Sequence, residues 1–472
     1  MIDTFAIRCN VLKIAFSGQL SQHEGEDGAI DDLLKRVNPN REIKQSEAGP
    51  YEIPENWAWV KLEDLYEINP KVEAADDTDA AFIPMERISA GFSDSFTFEV
   101  QKWSAASKNH TRFADGDVAF AKISPCFENR KSFIATGLPN GIGGGTTELI
   151  ILRQKEMLPR FTYYVTLDQR FIHEGVASYK GTVGQQRVKS DVIKNYMVAV
   201  PPKEEQQRII EKIESIFSAL DTIDTLQGQY QDNLATLKSK IIDAGIQGKL
   251  TEQLPEDGNA EELYQQIQQE KLALEKAGKI KKSKPLPPIS DEEKPFDIPE
   301  NWKWVRIGNI GSWSAGSTPA RNNPAYYKDG SIPWLKTGDL DDNYISEVPE
   351  YITELAMKET SVRLNPVGSV LMAMYGATIG KLGILETPMT TNQACCACIP
   401  YTGMYNKYLF YYLLGRRKEF IEKGKGGAQP NISKEIIVNS AIPLPPLAEQ
   451  KRIVAKLEEL LPMCQGSTIE RR

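Results

Sequence analysis

Ile53-Pro54-Glu55-Asn56-Trp57-Ala58-Trp59-Val60 returns as Ile298-Pro299-Glu300-Asn301-Trp302-Lys303-Trp304-Val305, identical at seven of eight positions. A second pair closes the same interval: Pro201-Pro202-Lys203-Glu204-Glu205-Gln206-Gln207-Arg208-Ile209 returns as Pro445-Pro446-Leu447-Ala448-Glu449-Gln450-Lys451-Arg452-Ile453. The offsets are 245 and 244, so two segments of nearly equal length share a frame while their contents diverge. An internal repeat of this kind sets the architecture before any single element is assigned. A third match, offset by 230, pairs Gly18-Gln19-Leu20 with Gly248-Lys249-Leu250, and Glu26–Leu33 with Glu256–Leu263. Lys- and Pro-rich residues around Lys276–Ser290 account for the change of offset and read as an extended, solvated linker. In repeat coordinates the C-terminus stops about where the N-terminus begins. The repeat is cyclic, and its cut lies inside one element.

That element is a helix. After Pro201-Pro202, apolar residues recur at Ile209, Ile213, Ile216, Leu220, Ile223, Tyr230, Leu234, Leu237, Ile241 and Ala244. This is a heptad seam, broken once at Gln227-Gly228. Residues 203–246 then span about 65 Å at 1.5 Å per residue. Ile453, Leu457, Leu460 and Leu461 begin a second copy, and Ile7–Phe16 resembles its far end. Both chain ends are expected to pack as a split copy of the central helix. Between the frames, β-rich runs such as Asp117–Ala121 and Gly368–Ala373 alternate with Gly, Asn and Pro turns, and helices are expected around Phe161–Glu174 and Lys407–Lys423. The expected fold class is α+β (mixed α/β): two globular domains joined by long antiparallel coiled-coil helices in a pseudo-twofold, cyclic repeat. The expected boundaries are 1–51 for an N-terminal helical segment, 52–202 for domain 1, 203–296 for a central helical region with linker, 297–446 for domain 2 and 447–472 for a distal helix.

The composition, 472 residues with 41% hydrophobic and 25% charged, is that of an ordinary multi-domain protein. No run approaches the roughly 20 apolar residues of a membrane span, and the first residues lack the apolar core of a secretory leader. Six Cys in a chain of this length do not make a disulfide framework. Cys395, Cys396 and Cys398 read as buried thiols in a reducing cytoplasm rather than as a metal site. The net charge of −8 excludes a globally basic nucleic-acid coat. It leaves room for a local basic face, because residues 203–296 alone carry −5. Basic residues gather near the end of each domain. There, Tyr179-Lys180-Gly181-Thr182-Val183-Gly184-Gln185 and Lys423-Gly424-Lys425-Gly426-Gly427-Ala428-Gln429 form Gly-rich basic loops suited to phosphate contact and base-edge hydrogen bonding. The bland alternative for each is a solvated helix end followed by a loop.

Other chemistry finds little support. Gly376-Ala377-Thr378-Ile379-Gly380-Lys381-Leu382 spaces its glycines one residue too closely for a phosphate loop and has Leu382 where Ser or Thr would hold magnesium. Gly141–Gly145 is not followed by a helix pattern of the dinucleotide-binding kind. Asn323-Pro324-Ala325-Tyr326 lacks the second Pro of an adenine-methyltransferase motif and reads as a turn. Three His in unrelated contexts give a triad or a metal site little to work with. No catalytic residue and no metal ligand is assigned. Trp57 and Trp302 read as packing anchors at the helix–domain junction rather than as base-stacking residues.

The chain resembles the DNA specificity subunit of type I restriction-modification systems. The motifs that carry the resemblance are Gly316-Ser317-Thr318-Pro319, Gly330-Ser331-Ile332-Pro333-Trp334 followed by Gly338-Asp339-Leu340, Gly376–Lys381, Thr391-Asn392-Gln393-Ala394 and Pro443–Gln450 opening a helix. Domain 1 lacks the Gly-Thr-Pro and Gly-Ala-Thr-Ile-Gly motifs, so the two domains are expected to read different sequences. The resemblance implies two target recognition domains, each reading half of a bipartite site in double-stranded DNA. It implies helices that set the spacing and dock two methyltransferase (modification) subunits, and ATP-hydrolysing restriction/translocase subunits joining that complex. It also implies no cofactor on this chain, with the methyl donor on the modification subunits and ATP and Mg on the restriction subunits. The residues expected at DNA in domain 1 are Lys122, Arg130, Lys131, Tyr179, Lys180, Thr182, Gln185, Gln186 and Arg187. In domain 2 they are Thr318, Arg321, Lys336, Thr337, Tyr375, Thr378, Lys381, Asn392, Lys423, Lys425, Gln429 and Asn431. Two other readings stay open. A stand-alone DNA-binding or anti-restriction protein would not co-purify a methyltransferase subunit, and an enzyme in its own right would bind the methyl donor.

Overall fold

The computed structural model describes residues 1–22, 24, 27–37, 49–180, 185–424 and 431–464. The chain forms two compact units, Met1–Gly228 and Gln229–Arg472. The strands of the first unit are β1 (Ala58–Lys61), β2 (Tyr66–Ile68), β3 (Asp79–Ile83), β4 (Glu99–Lys102), β5 (Thr111–Ala114), β6 (Val118–Ala121), β7 (Ser132–Ile134), β8 (Ile142–Gly145), β9 (Leu149–Gln154) and β10 (Met197–Val200). Those of the second are β11 (Lys303–Arg306), β12 (Gly311–Ala315), β13 (Ile332–Leu335), β14 (Asn343–Ile345), β15 (Tyr351–Ile352), β16 (Val370–Ala373), β17 (Leu382–Leu385), β18 (Thr390–Thr391), β19 (Cys395–Pro400) and β20 (Ala441–Leu444).

The repeated motifs build the same joint in both units. The Trp-rich motif supplies β1 and β11, which pair antiparallel with β10 and β20 just before each Pro-Pro. Proline lacks the N–H a ladder needs but suits the start of a helix, so Pro-Pro ends the strand and opens the helices Lys203–Ile246 and Leu447–Leu460. Trp57 and Trp302 are buried packing anchors, as expected. The Trp57 indole N–H donates to the buried carboxylate of Glu205 at 3.0 Å, and that of Trp302 donates to Glu449 at 2.8 Å. Ser21 and Thr251 donate to the other oxygens of the same carboxylates. The buried amides of Gln206 and Gln450 donate back to the Pro201 and Pro445 carbonyls and accept from the Leu158 and Tyr405 amides. Arg208 grips Asp27 at 2.7 and 2.6 Å, as Arg452 grips Asp257 at 2.9 and 2.5 Å. The 230-residue sequence match is thus the acidic half of a salt bridge whose basic half lies in the 244-residue match. Gly18 and Gly248 complete the joint at φ +74° and +72°, where a Cβ would stand 2.3 Å from Pro54 or 2.7 Å from Pro299.

Between these joints the sequences diverge, yet the topology is shared. The first unit has a sheet ordered β2-β9-β6-β7, and the second has β12-β19-β16-β17 with β14 added at the edge. Beside each lies a second sheet whose central strand pairs antiparallel on one side and parallel on the other. In the first unit β3 lies between β4 and β8, and in the second β13 lies between β15 and β18. The main-sheet strands β6 and β16 are fully buried, as expected of short apolar runs covered on both faces. Each expected helix is present as a consecutive pair: Pro159–Leu167 with Gln169–Ala177, and Asn406–Gly415 with Arg417–Lys423.

One expectation needs correction. The heptad seam holds only at the ends of the long helix. Ile209, Ile213 and Leu220 are buried, but Tyr230 is 51% and Leu237 47% exposed. Among the described residues the covering helices Thr4–Phe16 and Leu447–Leu460 have 13 and 14 residues, too few to line a helix of 44. The N-terminal helix runs antiparallel to the long one, with Ile2 on Gln227, Thr4 on Asp224 and Arg8 on Asp221. The Lys276–Ser290 linker is extended and mostly exposed, as expected, and is also anchored to the domain. Its Pro287 and Pro288 carbonyls accept from the buried Arg306, which also binds Glu293, and Ile280 and Leu286 face the protein. Among the described residues no helix is long and apolar enough to cross a membrane.

Candidate nucleic-acid interface

Most of the expected site residues that are described gather at one end of each main sheet, and main-chain bonds hold them in corresponding places. In the first unit, the loop after β6 returns so that Ala121 N–H donates to Lys131 at 2.9 Å, while Lys122 donates to Glu148 at 2.8 Å. Val188 then donates to Lys122, and Arg187 and Lys180 exchange hydrogen bonds across the neck of the Gly-rich loop. The second unit repeats this pattern, with one bond in place of the exchange across the neck. Ala373 donates to Lys381 at 2.8 Å, Met374 to Ala394 at 2.8 Å, Ile432 to Met374 at 2.7 Å and Asn431 to Gly424 at 3.0 Å. The bridge Ile123–Arg187 corresponds to Tyr375–Asn431. Both Gly-rich loops therefore spring from the same point of the same frame. Thr182, Lys425 and Gln429 lie outside the described residues.

The side chains differ in what they can offer a ligand. In the first unit Lys180 and Gln185 are exposed, and Lys122 and Gln186 are half-buried. The Tyr179 ring packs edge-on to Phe127. Lys131 spends its ammonium on the Met85 carbonyl at 2.8 Å. Arg130 is 4% exposed and turns inward to the Leu167 carbonyl at 2.9 Å and to Gln169, with its guanidinium over Phe5 and Phe92. Its backbone is left-handed (φ 54°), and its guanidinium lies at the junction of the two helices. Arg187 is exposed but held side-on by Glu148 at 2.9 and 2.7 Å. This pairing, ahead of the opposing effect of burial, keeps the Glu148 carboxyl below its ordinary range.

In the second unit Ser317 N–H donates to the Thr391 carbonyl and Asn392 N–H to Leu335, which brings the Gly-Ser-Thr-Pro and Thr-Asn-Gln-Ala motifs together. Gly316 is required here, since a Cβ would lie 2.2 Å from the Thr391 oxygen. Thr318 bonds Gln393, and the buried Asn392 side-chain oxygen has no partner among the described residues. Arg321 and Lys336 both bind Glu350, and Thr337 is half-buried beside Lys336. Tyr375, Thr378 and Lys381 lie half-buried on the loop after β16, Asn431 is exposed, and Lys423 pairs with Glu419 at 2.7 Å. Cationic residues and Gly-rich loops give no sign of Glu148 and Glu350, the carboxylates that hold Arg187, Arg321 and Lys336. Gln393 was present in a quoted motif but unassigned.

The model of the type I restriction modification DNA specificity domain matches the chain twice, over residues 54–230 and 299–465. The chain belongs to this family. It is 33% identical to the type I restriction enzyme EcoAI specificity subunit of Escherichia coli, over 98% of this chain and 90% of that one. It is 30% identical to the EcoEI specificity subunit of the same organism, with the same coverage. Its fold is also that of a chain solved for complex assembly and conformational transition of the type I R-M system. That chain has a TM-score of 0.65, is 20% identical, and covers 88% of this chain and 92% of its own length.

In this member of the specificity family the three clustered thiols are enclosed. Cys395, Cys396 and Cys398 are buried on β19, as expected, and burial pushes the Cys396 thiol up to about 12. Asn323 accepts from the Ala325 N–H within its own turn, the structural role read for Asn323-Pro324-Ala325-Tyr326. Among the described residues no group of three or more His, Cys, Asp or Glu could hold a metal ion.

Proposed function

We propose that this chain is the non-catalytic DNA recognition subunit of a type I restriction-modification enzyme. Residues 52–202 and 297–446 would each read one half of a bipartite target in double-stranded DNA. The observation that carries this reading is the matched frame at the sheet ends, which presents two Gly-rich basic loops of different composition on two domains of one DNA-specificity chain. Equal frames give equal approach to a groove, and unequal side chains give different base preferences. The helical segments set the spacing of the half-sites and dock two modification subunits, and restriction subunits join that complex. Methyl transfer and ATP hydrolysis belong to those partners, with the methyl donor and ATP–Mg bound there. The site residues offered for DNA contact are the exposed or half-buried ones described above, with Arg130 left in the interior.

The test is co-expression with a modification subunit and mapping of methylated adenines across a genome. A single bipartite motif with a fixed central gap is expected. Exchanging residues 297–446 for those of a relative should change one half of the motif and leave the other. Methylation at a continuous site, or changes in both halves, overturns the reading.

A further inference from the structure

Two cations of the second domain converge on one carboxylate. Glu350 accepts from Arg321 at 2.9 Å and from Lys336. The guanidinium of Arg321 sits in a corner formed by the rings of Tyr327 (4.7 Å) and Trp334 (4.6 Å). Both rings are themselves fixed, since the Tyr327 hydroxyl donates to the Pro319 carbonyl at 2.6 Å and the Trp334 indole to Ser317 at 3.1 Å. Glu350 is fixed as well, because its main-chain oxygen accepts from Trp334 N–H at 2.9 Å. The cluster is half open to solvent, where an ion pair contributes little to stability. It does halve the net charge offered to a phosphate backbone, and it orients a guanidinium whose remaining N–H groups could meet a guanine edge.

Resting on the DNA-reading function proposed above, we infer that Glu350 is a specificity-determining positioning residue: it holds Arg321 and Lys336 back from indiscriminate phosphate contact and presents them only to the correct half-site. Binding to a wrong sequence must break these pairs without the base-edge bonds that offset the loss.

The experiment uses the assembled complex with its modification subunit and two duplexes, one carrying the mapped target and one with that target scrambled. E350Q should bind the scrambled duplex about tenfold tighter, with a salt dependence steeper by roughly one unit, and the target duplex less than about threefold tighter. E350D, which keeps the charge, should keep the wild-type salt slope. In an R321A/K336A background the effect of E350Q should vanish. The inference is overturned if E350Q leaves the scrambled-duplex affinity unchanged, if it changes both duplexes equally, or if its effect survives without Arg321 and Lys336. A wild-type complex that cannot tell the two duplexes apart overturns the proposed function itself, so the two failures are distinguishable.

Discussion

At the loop that returns from β6 or β16, the two units fill the same space from opposite sides. In the first, Arg130 at φ 54° sends its side chain to the helix junction, where it binds the Leu167 carbonyl and Gln169. In the second, the corresponding residue is Gly380 at φ 79°, and the space is taken by Arg417 from the first turn of the second helix. A Cβ on Gly380 would lie 2.9 Å from the Arg417 side chain, which reaches on to Asp342. The residue that follows is a lysine in both, Lys131 or Lys381, bonded through its carbonyl to the end of the strand. What is shared is therefore main-chain geometry, while the side chains packed around it are exchangeable. That is how two domains with little sequence in common can keep one frame and offer different reading surfaces.

The largest test of this equivalence lies in the joints. Trp57→Ala and Trp302→Ala should each cost about 3–5 kcal/mol, since each removes a buried indole and leaves a buried carboxylate short of a donor. Denaturant melts of the two variants should show losses of similar size. A loss at one position only would break the equivalence of the joints. Next in size, Arg130→Ala should cost about 1–3 kcal/mol by leaving buried acceptors unmet. It should leave the salt dependence of DNA binding unchanged, because the guanidinium does not reach solvent. A flatter slope in this variant would return Arg130 to the interface.

These cases also mark what can be read from sequence. The joint was legible because identical residues perform identical tasks: Trp on Glu, Gln on the Pro carbonyl, Arg on Asp. The shared topology between the joints was not, because strand order and the β6 and β16 return loops are set by main-chain bonds that leave no residue signature. Arg130 reads as a surface cation beside a lysine, whereas its acceptors, the Leu167 carbonyl and Gln169, lie almost forty residues away in sequence and leave no local signal. Tyr230 and Leu237 keep heptad spacing, although among the described residues no helix is long enough to cover them. The linker is extended and exposed, as its Lys and Pro content indicates, while the single Arg306 that ties down its Pro287 and Pro288 carbonyls leaves no signal in it. Gly-rich basic loops were legible as a pair, whereas the carboxylates that restrain their neighbours carry no motif.

A smaller effect concerns the loops themselves. Lys425→Ala should lower DNA affinity a few-fold and flatten the salt dependence by about 0.9 if the lysine contacts one phosphate. Lys180→Ala, on the corresponding loop of the first domain, should do the same. A change in the slope for one loop alone would mean that only one domain holds the backbone through this element.

The smallest expected effect is confined to acid and to the second unit. Glu293 binds Arg306, and this hydrogen bond, helped by the Ser290 N–H, pulls its carboxyl down from 4.5 to about 2. A folded-state value below the unfolded one means that the contribution to stability is complete above about pH 4.5 and is lost as pH falls toward 2. The position corresponding to Arg306 in the first unit is Lys61, which binds Asn195 rather than a carboxylate. Protection from hydrogen exchange at β20, which pairs with the strand carrying Arg306, should therefore fall below pH 4.5 when referred to the intrinsic rate at each pH. Glu293→Gln should already exchange faster at pH 6 and lose most of that acid dependence. Protection at β10 should show no corresponding step, and an equal step in both strands would place its origin outside the Arg306 linker clamp.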